Sequence, residues 1–257
     1  MLPARRFLAT FIPYLALGLI ISRSFATPTL IAEDTFTYSA GSIVGANGGT
    51  GWSAAWFNPY SQSPLTINSS GQLIYSSTST IEAAARAVNQ RFSSSNYAQV
   101  YILFDVRFGT QSGGGTPNLR IYDSTLPSNQ ITGGLGNNGY GSPNYSILGA
   151  GLTVGADSGT SLNTAANILY EIDYTQNQSR LWVGSISWNI NALPTSGANA
   201  TLASAPAFDR LDLYVRQLAY FDNLSIYAVA IPEPAATATL MGVCLFTLVV
   251  NRRPRRA

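Results

Sequence analysis

Glu171-Ile172-Asp173 are the residues of this sequence whose types and spacing point most directly to chemistry. On an extended strand residues i and i+2 share a face, so both carboxyl groups project together. Retaining hydrolysis of a glycosidic bond uses two carboxyl groups about 5 Å apart. A second group of interest is aromatic. Trp52, Trp56, Phe57 and Tyr60 crowd one short stretch. Flat rings of this kind stack on the C–H faces of sugars, which marks Trp52, Trp56 and Tyr60 as glycan-binding candidates; the same rings serve equally as core. Asp123 and Asp157, set among Asn and Gly, offer oxygens of the type that Ca²⁺ takes, although neither lies in an EF-hand-like ligand pattern.

What is missing narrows the chemistry further. The chain has no His and no Lys, and its one cysteine is Cys244, in the C-terminal apolar run. That excludes a Ser-His-Asp triad, a Cys-His pair and a His-ligated zinc site. Neither a metal ligand set nor a cofactor motif stands out. The net charge of +2 comes from the ends. Between residues 27 and 230 there are seven Arg against eleven Asp plus Glu, so the body carries −4 and lacks the basic footprint of a nucleic-acid binder.

The elements that must carry these residues are strands. Val100, Ile102, Phe104, Val106 and Phe108 alternate with polar or mixed positions, the pattern of a strand with one fully apolar face. Ile168, Tyr170, Ile172 and Tyr174 repeat it, with Glu171 and Asp173 opposite. A turn over Thr175 to Ser179 then leads into Arg180-Leu181-Trp182-Val183, the expected hairpin partner. Leu211, Leu213 and Val215 make a further stripe, and Leu224, Ile226 and Ala228 the last. Further strands are expected near Phe36, Trp52, Leu73, Leu119 and Ile147. Gly133-Gly134 and Asn137-Asn138-Gly139 read as turns, and Thr195 to Ala205 as a loop. Glu82 to Val88 is Ala-rich, and propensity alone favours helix there. Many short strands between such turns predict an all-β body over residues 27–230, a β-sandwich or jelly roll.

The ends read as addresses. Residues 1–26 have the parts of a secretory signal peptide: Arg5 and Arg6, an apolar stretch from Phe7 to Ile21, and small residues before a cleavage point after Ala26. At the other end Ile231-Pro232-Glu233-Pro234 breaks regular structure. Ala235 to Val250 follows without a charge, predicting a short transmembrane helix of about 24 Å. Arg252, Arg253, Arg255 and Arg256 form a basic anchor expected to stay cytoplasmic, which places the body outside.

The block from residue 231 to 257 resembles a PEP-CTERM sorting signal: Pro232-Glu233-Pro234, a hydrophobic helix and a terminal Arg cluster, with Ile231 where the family usually has Val. That resemblance implies an exosortase and a signal peptidase as processing partners. It also implies a membrane-held precursor released to a surface or extracellular matrix rich in exopolysaccharide. The body resembles LamG-like, concanavalin-type jelly rolls at Glu33-Asp34-Thr35-Phe36, at Asn47-Gly48-Gly49-Thr50-Gly51-Trp52 and at Phe221-Asp222-Asn223-Leu224-Ser225-Ile226. Ala85-Arg86-Ala87 resembles an early strand of that family, so the segment is expected as strand against its propensity. Glu171-Ile172-Asp173 resembles the catalytic strand of laminarinase-type glycosidases. By that resemblance Glu171 is the nucleophile and the acid/base Glu belongs at 175 or 176. Thr175 and Gln176 stand there instead. The expectation is therefore a non-catalytic surface or matrix protein, with a carbohydrate-binding module as the alternative and a glycosidase third. Glu171 and Asp173 are then expected on the solvated face of a hairpin.

Overall fold

The computed structural model describes residues 27–75, 80–108, 118–126, 130–136, 143–153, 155–185, 187–215 and 219–231. The signal segment 1–26, the Pro232-Glu233-Pro234 motif, the apolar tail and Arg252, Arg253, Arg255 and Arg256 lie outside the described residues. Among those described, no helix is long and apolar enough to cross a membrane.

The alternating stripes form strands, and the strands form two sheets. In chain order they are β1 (Thr29–Asp34), β2 (Gly41–Ser42), β3 (Ser63–Pro64), β4 (Thr66–Ile67), β5 (Leu73–Ile74), β6 (Glu82–Phe92), β7 (Tyr97–Phe108) and β8 (Asn118–Asp123). Then come β9 (Gln130–Gly136), β10 (Asn144–Leu148), β11 (Ala156–Ser161), β12 (Ala166–Asp173), β13 (Gln178–Gly184), β14 (Ala200–Leu202), β15 (Phe208–Val215) and β16 (Ala219–Ala230). The first sheet runs β14-β13-β12-β7-β16-β5-β4-β2, with β1 also paired to β16; the second runs β11-β10-β9-β8-β15-β6-β3. Pairing is antiparallel throughout except between β3 and β6. The body is an all-β sandwich.

Period-two burial explains why these residues make these strands. Val100, Ile102, Phe104 and Val106 of β7 join Ile168, Tyr170 and Ile172 of β12 and Leu224, Ile226 and Ala228 of β16 in one core. Leu211, Leu213 and Val215 of β15 reach that core from the second sheet. Glu82 to Val88 lies wholly in β6, with Ala84 and Val88 facing inward. Burial between neighbouring strands overrides the helical preference of alanine there.

Three expectations change. Gly133-Gly134 is not a turn but part of β9. A Cβ on Gly134 would come within 2.2 Å of the Leu119 carbonyl oxygen, so the glycine permits the close approach of β8 and β9. Part of the expected loop Thr195 to Ala205 forms β14, which pairs with β13. Trp52 belongs to no strand and pairs with Val88 through a single bridge.

Candidate functional site

The carboxylate pair is not solvated. Glu171 is 2% exposed and Asp173 0%. In register, Glu171 faces Arg180 of β13 and Tyr101 of β7. Arg180 Nη2 donates to Glu171 Oε1 at 2.8 Å, and Arg180 Nε stands 2.6 Å from Oε2. Gln99 Nε2 donates to both carboxylates at 3.3 Å. Asp173 Oδ1 accepts from the Thr175 N–H, the Thr175 hydroxyl and the Gln176 N–H, which makes it the cap of the β12–β13 turn. Burial pushes the Glu171 carboxyl above the usual carboxylate range, and Arg180 opposes that rise. Next to the pair, Trp188, Ile190 and Leu193 pack over Tyr101, Leu169 and Trp182 on the outer face of the sheet. Glu171 and Asp173 thus serve a buried ion cluster that holds the hairpin.

The aromatic cluster divides. Trp56 is 1% exposed, and its indole N–H donates to Asp34 Oδ2 at 2.8 Å. Trp52 is half-buried, donates to the Glu33 carbonyl at 2.9 Å, and carries the Arg86 guanidinium 4.9 Å over its ring. Neither ring is left as an open platform for a sugar. Tyr60 lies elsewhere, on the outer face of the second sheet. Its hydroxyl donates to Asp212 Oδ2 at 2.6 Å and is bonded to the Tyr122 hydroxyl. Arg210 clamps Asp212 at 2.7 and 3.1 Å. Burial and the Asp212 carboxylate push the Tyr60 hydroxyl upward.

The calcium candidates are separately engaged. Asp123 accepts from Arg91 at 2.9 and 2.6 Å and from Thr125, and the Arg91 hydrogen bonds draw its carboxyl down to about 2. Asp157 accepts from the Asn144 amide at 3.0 Å and the Gly159 N–H at 2.7 Å. Among the described residues no group of three or more acidic, His or Cys side chains is placed to hold a metal ion.

An open groove lies instead on the outer face of the first sheet, where β12, β7 and β16 run side by side. It measures about 380 Å³ and is lined by Gln72, Asp105, Arg107, Asn167, Tyr220 and Asp222, among others. A neighbouring hollow of about 190 Å³ shares Asp105 and Asn167 and reaches Trp188 and Asn223. Register builds one row across the three strands: Asn167 opposite Asp105, and Asp105 opposite Asp222. The next row sets Arg107 opposite Tyr220. Between Asp222 and Ser225 the pairing of β16 with β7 slips, and Asn223 takes a φ of +53°. This bulge turns the Asn223 side chain onto Asp105, where Nδ2 donates to Oδ2 at 2.7 Å. Asn167 Nδ2 donates to Oδ1 of the same carboxylate. The Asn223 N–H donates to Asp222 Oδ1 at 2.9 Å. Burial pushes the Asp222 carboxyl upward; the Asn223 N–H bond opposes that rise, and the facing Asp105 charge adds to it. Tyr220, 39% exposed, stands at the rim. The groove thus combines carboxylates held in place by amides with an accessible ring, a set suited to hydroxyl groups on a flat-faced ligand.

In the sequence Asp105 falls opposite the apolar stripe of Phe104 and Val106, and no motif marks it as part of a site. One signal was available. Phe221 and Leu224 are both buried but three residues apart, so the inward stripe of β16 changes parity at Asp222-Asn223. A change of parity inside an apolar strand marks a bulge, and bulges gather beside sites.

No protein-family model and no curated protein matches this chain. Solved structures do match, at low identity. A Trypanosoma rangeli sialidase in complex with sialic acid is 12% identical with a TM-score of 0.43, over 78% of this chain and 31% of that one. Lectin I-B4 from Griffonia simplicifolia is 10% identical with a TM-score of 0.42, over 67% and 98%. A Bacillus subtilis protein of unknown function with a galectin-like fold is 8% identical with a TM-score of 0.43, over 69% and 90%. The chain spans between 16% and 32% of the first sialidases it matches. The expectation of a body without catalysis does not stand, because sialidases appear among these matches beside the lectin. Likeness at this level assigns no activity to this chain.

Proposed function

We propose that this chain is an exported surface or extracellular-matrix protein whose jelly-roll body binds carbohydrate in the groove around Asp105, Asp222 and Tyr220. The observation that carries the reading is the row Asn167-Asp105-Asp222 beside the exposed Tyr220. Fixed acceptors meet sugar hydroxyls, and an exposed ring meets a sugar's C–H face. The sequence of the ends supports export by signal peptidase and sorting by an exosortase. Exopolysaccharide is the natural ligand class for such an address. The reading is tested by a glycan array on the released protein, with Asp105→Asn and Tyr220→Ala beside it. Binding reduced about tenfold or more in both variants supports the groove; equal binding by all three proteins sinks it. The same released protein reports on the tail. Its intact mass is expected to end near Pro232 to Pro234, and Arg252 to Arg256 still attached would refute processing.

A second reading, glycoside hydrolysis, has one observation in its favour. Asp105 and Asp222 face each other across paired strands, where opposite Cβ atoms lie about 4.5–5.5 Å apart. Burial shifts the Asp222 carboxyl upward, the direction that suits a proton donor. Reducing ends released from β-glucans, agars or carrageenans, and lost in Asp222→Asn, would establish it; an inert groove that still binds would leave recognition as the function.

A further inference from the structure

The outer face of the second sheet holds a buried cation with an unpartnered donor. Arg120 of β8 is 9% exposed, and its buried Nε has no hydrogen-bond partner among the described residues. Its guanidinium lies 3.5 Å from the centroid of the Tyr214 ring and 5.8 Å from that of Tyr60. The carboxylate opposite it in register, Asp212, is already clamped by Arg210 and Tyr60. Two residues away on the same face, Asn118 is 1% exposed, and its Oδ1 has no partner among the described residues. The flanking strand β9 puts Gly136 and Gly134 opposite Asn118 and Arg120, so bare backbone borders the pair on that side.

A buried guanidinium donor without a partner is costly, and native proteins avoid one unless something else completes it. Its five donors form a planar fork that fits an oxyanion with two parallel bonds. Tyr214 holds the fork flat through its ring face, and Asn118 offers an amide at the next position. We infer that Arg120 and Asn118 form an anion subsite, separate from the groove of the first sheet, which takes the carboxylate or sulfate of an acidic polysaccharide. Arg120 binds the oxyanion, and Asn118 Oδ1 accepts a neighbouring hydroxyl. The sugar part of this ligand rests on the reading given above, whereas the anion part rests on Arg120 and Asn118.

The test uses the full chain in detergent, with Arg120→Gln and Arg120→Lys. The probes are oligogalacturonate, a sulfated carrageenan oligomer and a neutral galactose oligomer of similar length, together with sodium sulfate against sodium chloride at matched ionic strength. Wild type is expected to bind at least one acidic oligomer about tenfold more tightly than the neutral one, and Arg120→Gln to lose that preference. Arg120→Lys, which keeps the charge without the fork, is expected to lose most of it and serves if Arg120→Gln does not fold. Sulfate is expected to raise the melting temperature of wild type above its value in chloride, and to do so much less in Arg120→Gln. A preference that survives in both variants overturns the subsite, as does sulfate acting no differently from chloride on wild type. If no oligomer binds but sulfate stabilises wild type alone, the carbohydrate reading fails and the anion subsite stands.

Discussion

Arg86 has all five of its N–H donors facing acceptors inside the protein. Nε reaches the Ala54 carbonyl at 3.0 Å, Nη1 reaches Asp34 and the Tyr38 hydroxyl, and Nη2 reaches Asn47 Oδ1 and the Gly48 carbonyl. Both Arg86 and Asp34 are 1% exposed. This single side chain ties the loop from Asn47 to Trp56 onto the sandwich. Arg86→Met strands the Asp34 carboxylate in the interior, so the expected loss is about 3–5 kcal/mol. In a body of this size each kcal/mol moves the melting temperature roughly 2–4 °C, so a calorimetric fall near 10 °C is expected. An unchanged melt would show that the pair contributes nothing. Glu171→Gln belongs to the same scale. Read as a solvated residue, it would change stability by no more than about 0.5 kcal/mol. Its burial against Arg180 and Gln99 raises the expected cost to about 1–3 kcal/mol, because a guanidinium loses its charged acceptor. Urea melts separate the two values directly.

At the scale of the element, β9 shows what alternation reveals and what it hides. The stripes on β7, β12, β15 and β16 were legible because each pairs an apolar face with a polar one. Gln130–Gly136 has two adjacent glycines and little alternation, so it reads as a turn even though it pairs with both β8 and β10. The need for glycine there comes from a neighbouring strand far away in sequence, and no local pattern encodes that contact. The site was hidden for a similar reason. Asp105 sits on the polar side of an otherwise apolar strand, where a carboxylate reads as solvated. Its partners Asn167 and Asp222 become visible only once register is known. Gly134→Val tests the close approach. A side chain at 134 meets the Leu119 carbonyl and must force β8 and β9 apart, at a cost of about 1–3 kcal/mol or more. Hydrogen exchange should then quicken at Leu119 to Ile121 before it quickens on β12. Uniform exchange across both sheets would show that the strain spreads through the whole sandwich.

Across the whole molecule, ionisation of the buried tyrosines is expected to set the alkaline limit of the fold. Burial pushes the hydroxyl of Tyr170 up to about 12, and those of Tyr60, Tyr101 and Tyr174 higher still. In the unfolded chain the same groups ionise near 10. The folded state therefore holds more protons above pH 10, and linkage makes stability fall as pH rises through that window. Below pH 10 both states are protonated, and the tyrosines contribute no slope. The four are spread over both sheets: Tyr60 bonds across to β8 and β15, Tyr101 lies on β7, Tyr170 is in the core, and Tyr174 donates to the Pro206 carbonyl at 3.0 Å. Ionising any of them puts a charge in partly or fully buried surroundings, so they are expected to titrate late and together with opening of the fold. The measurement follows tyrosinate absorbance near 295 nm together with the β-sheet circular dichroism signal from pH 9 to 13. A late, steep rise in absorbance that coincides with loss of the sheet signal is expected. Complete ionisation at about pH 10 with the sheets intact would show that these hydroxyls are open to water, and that the sandwich is looser than its packing indicates.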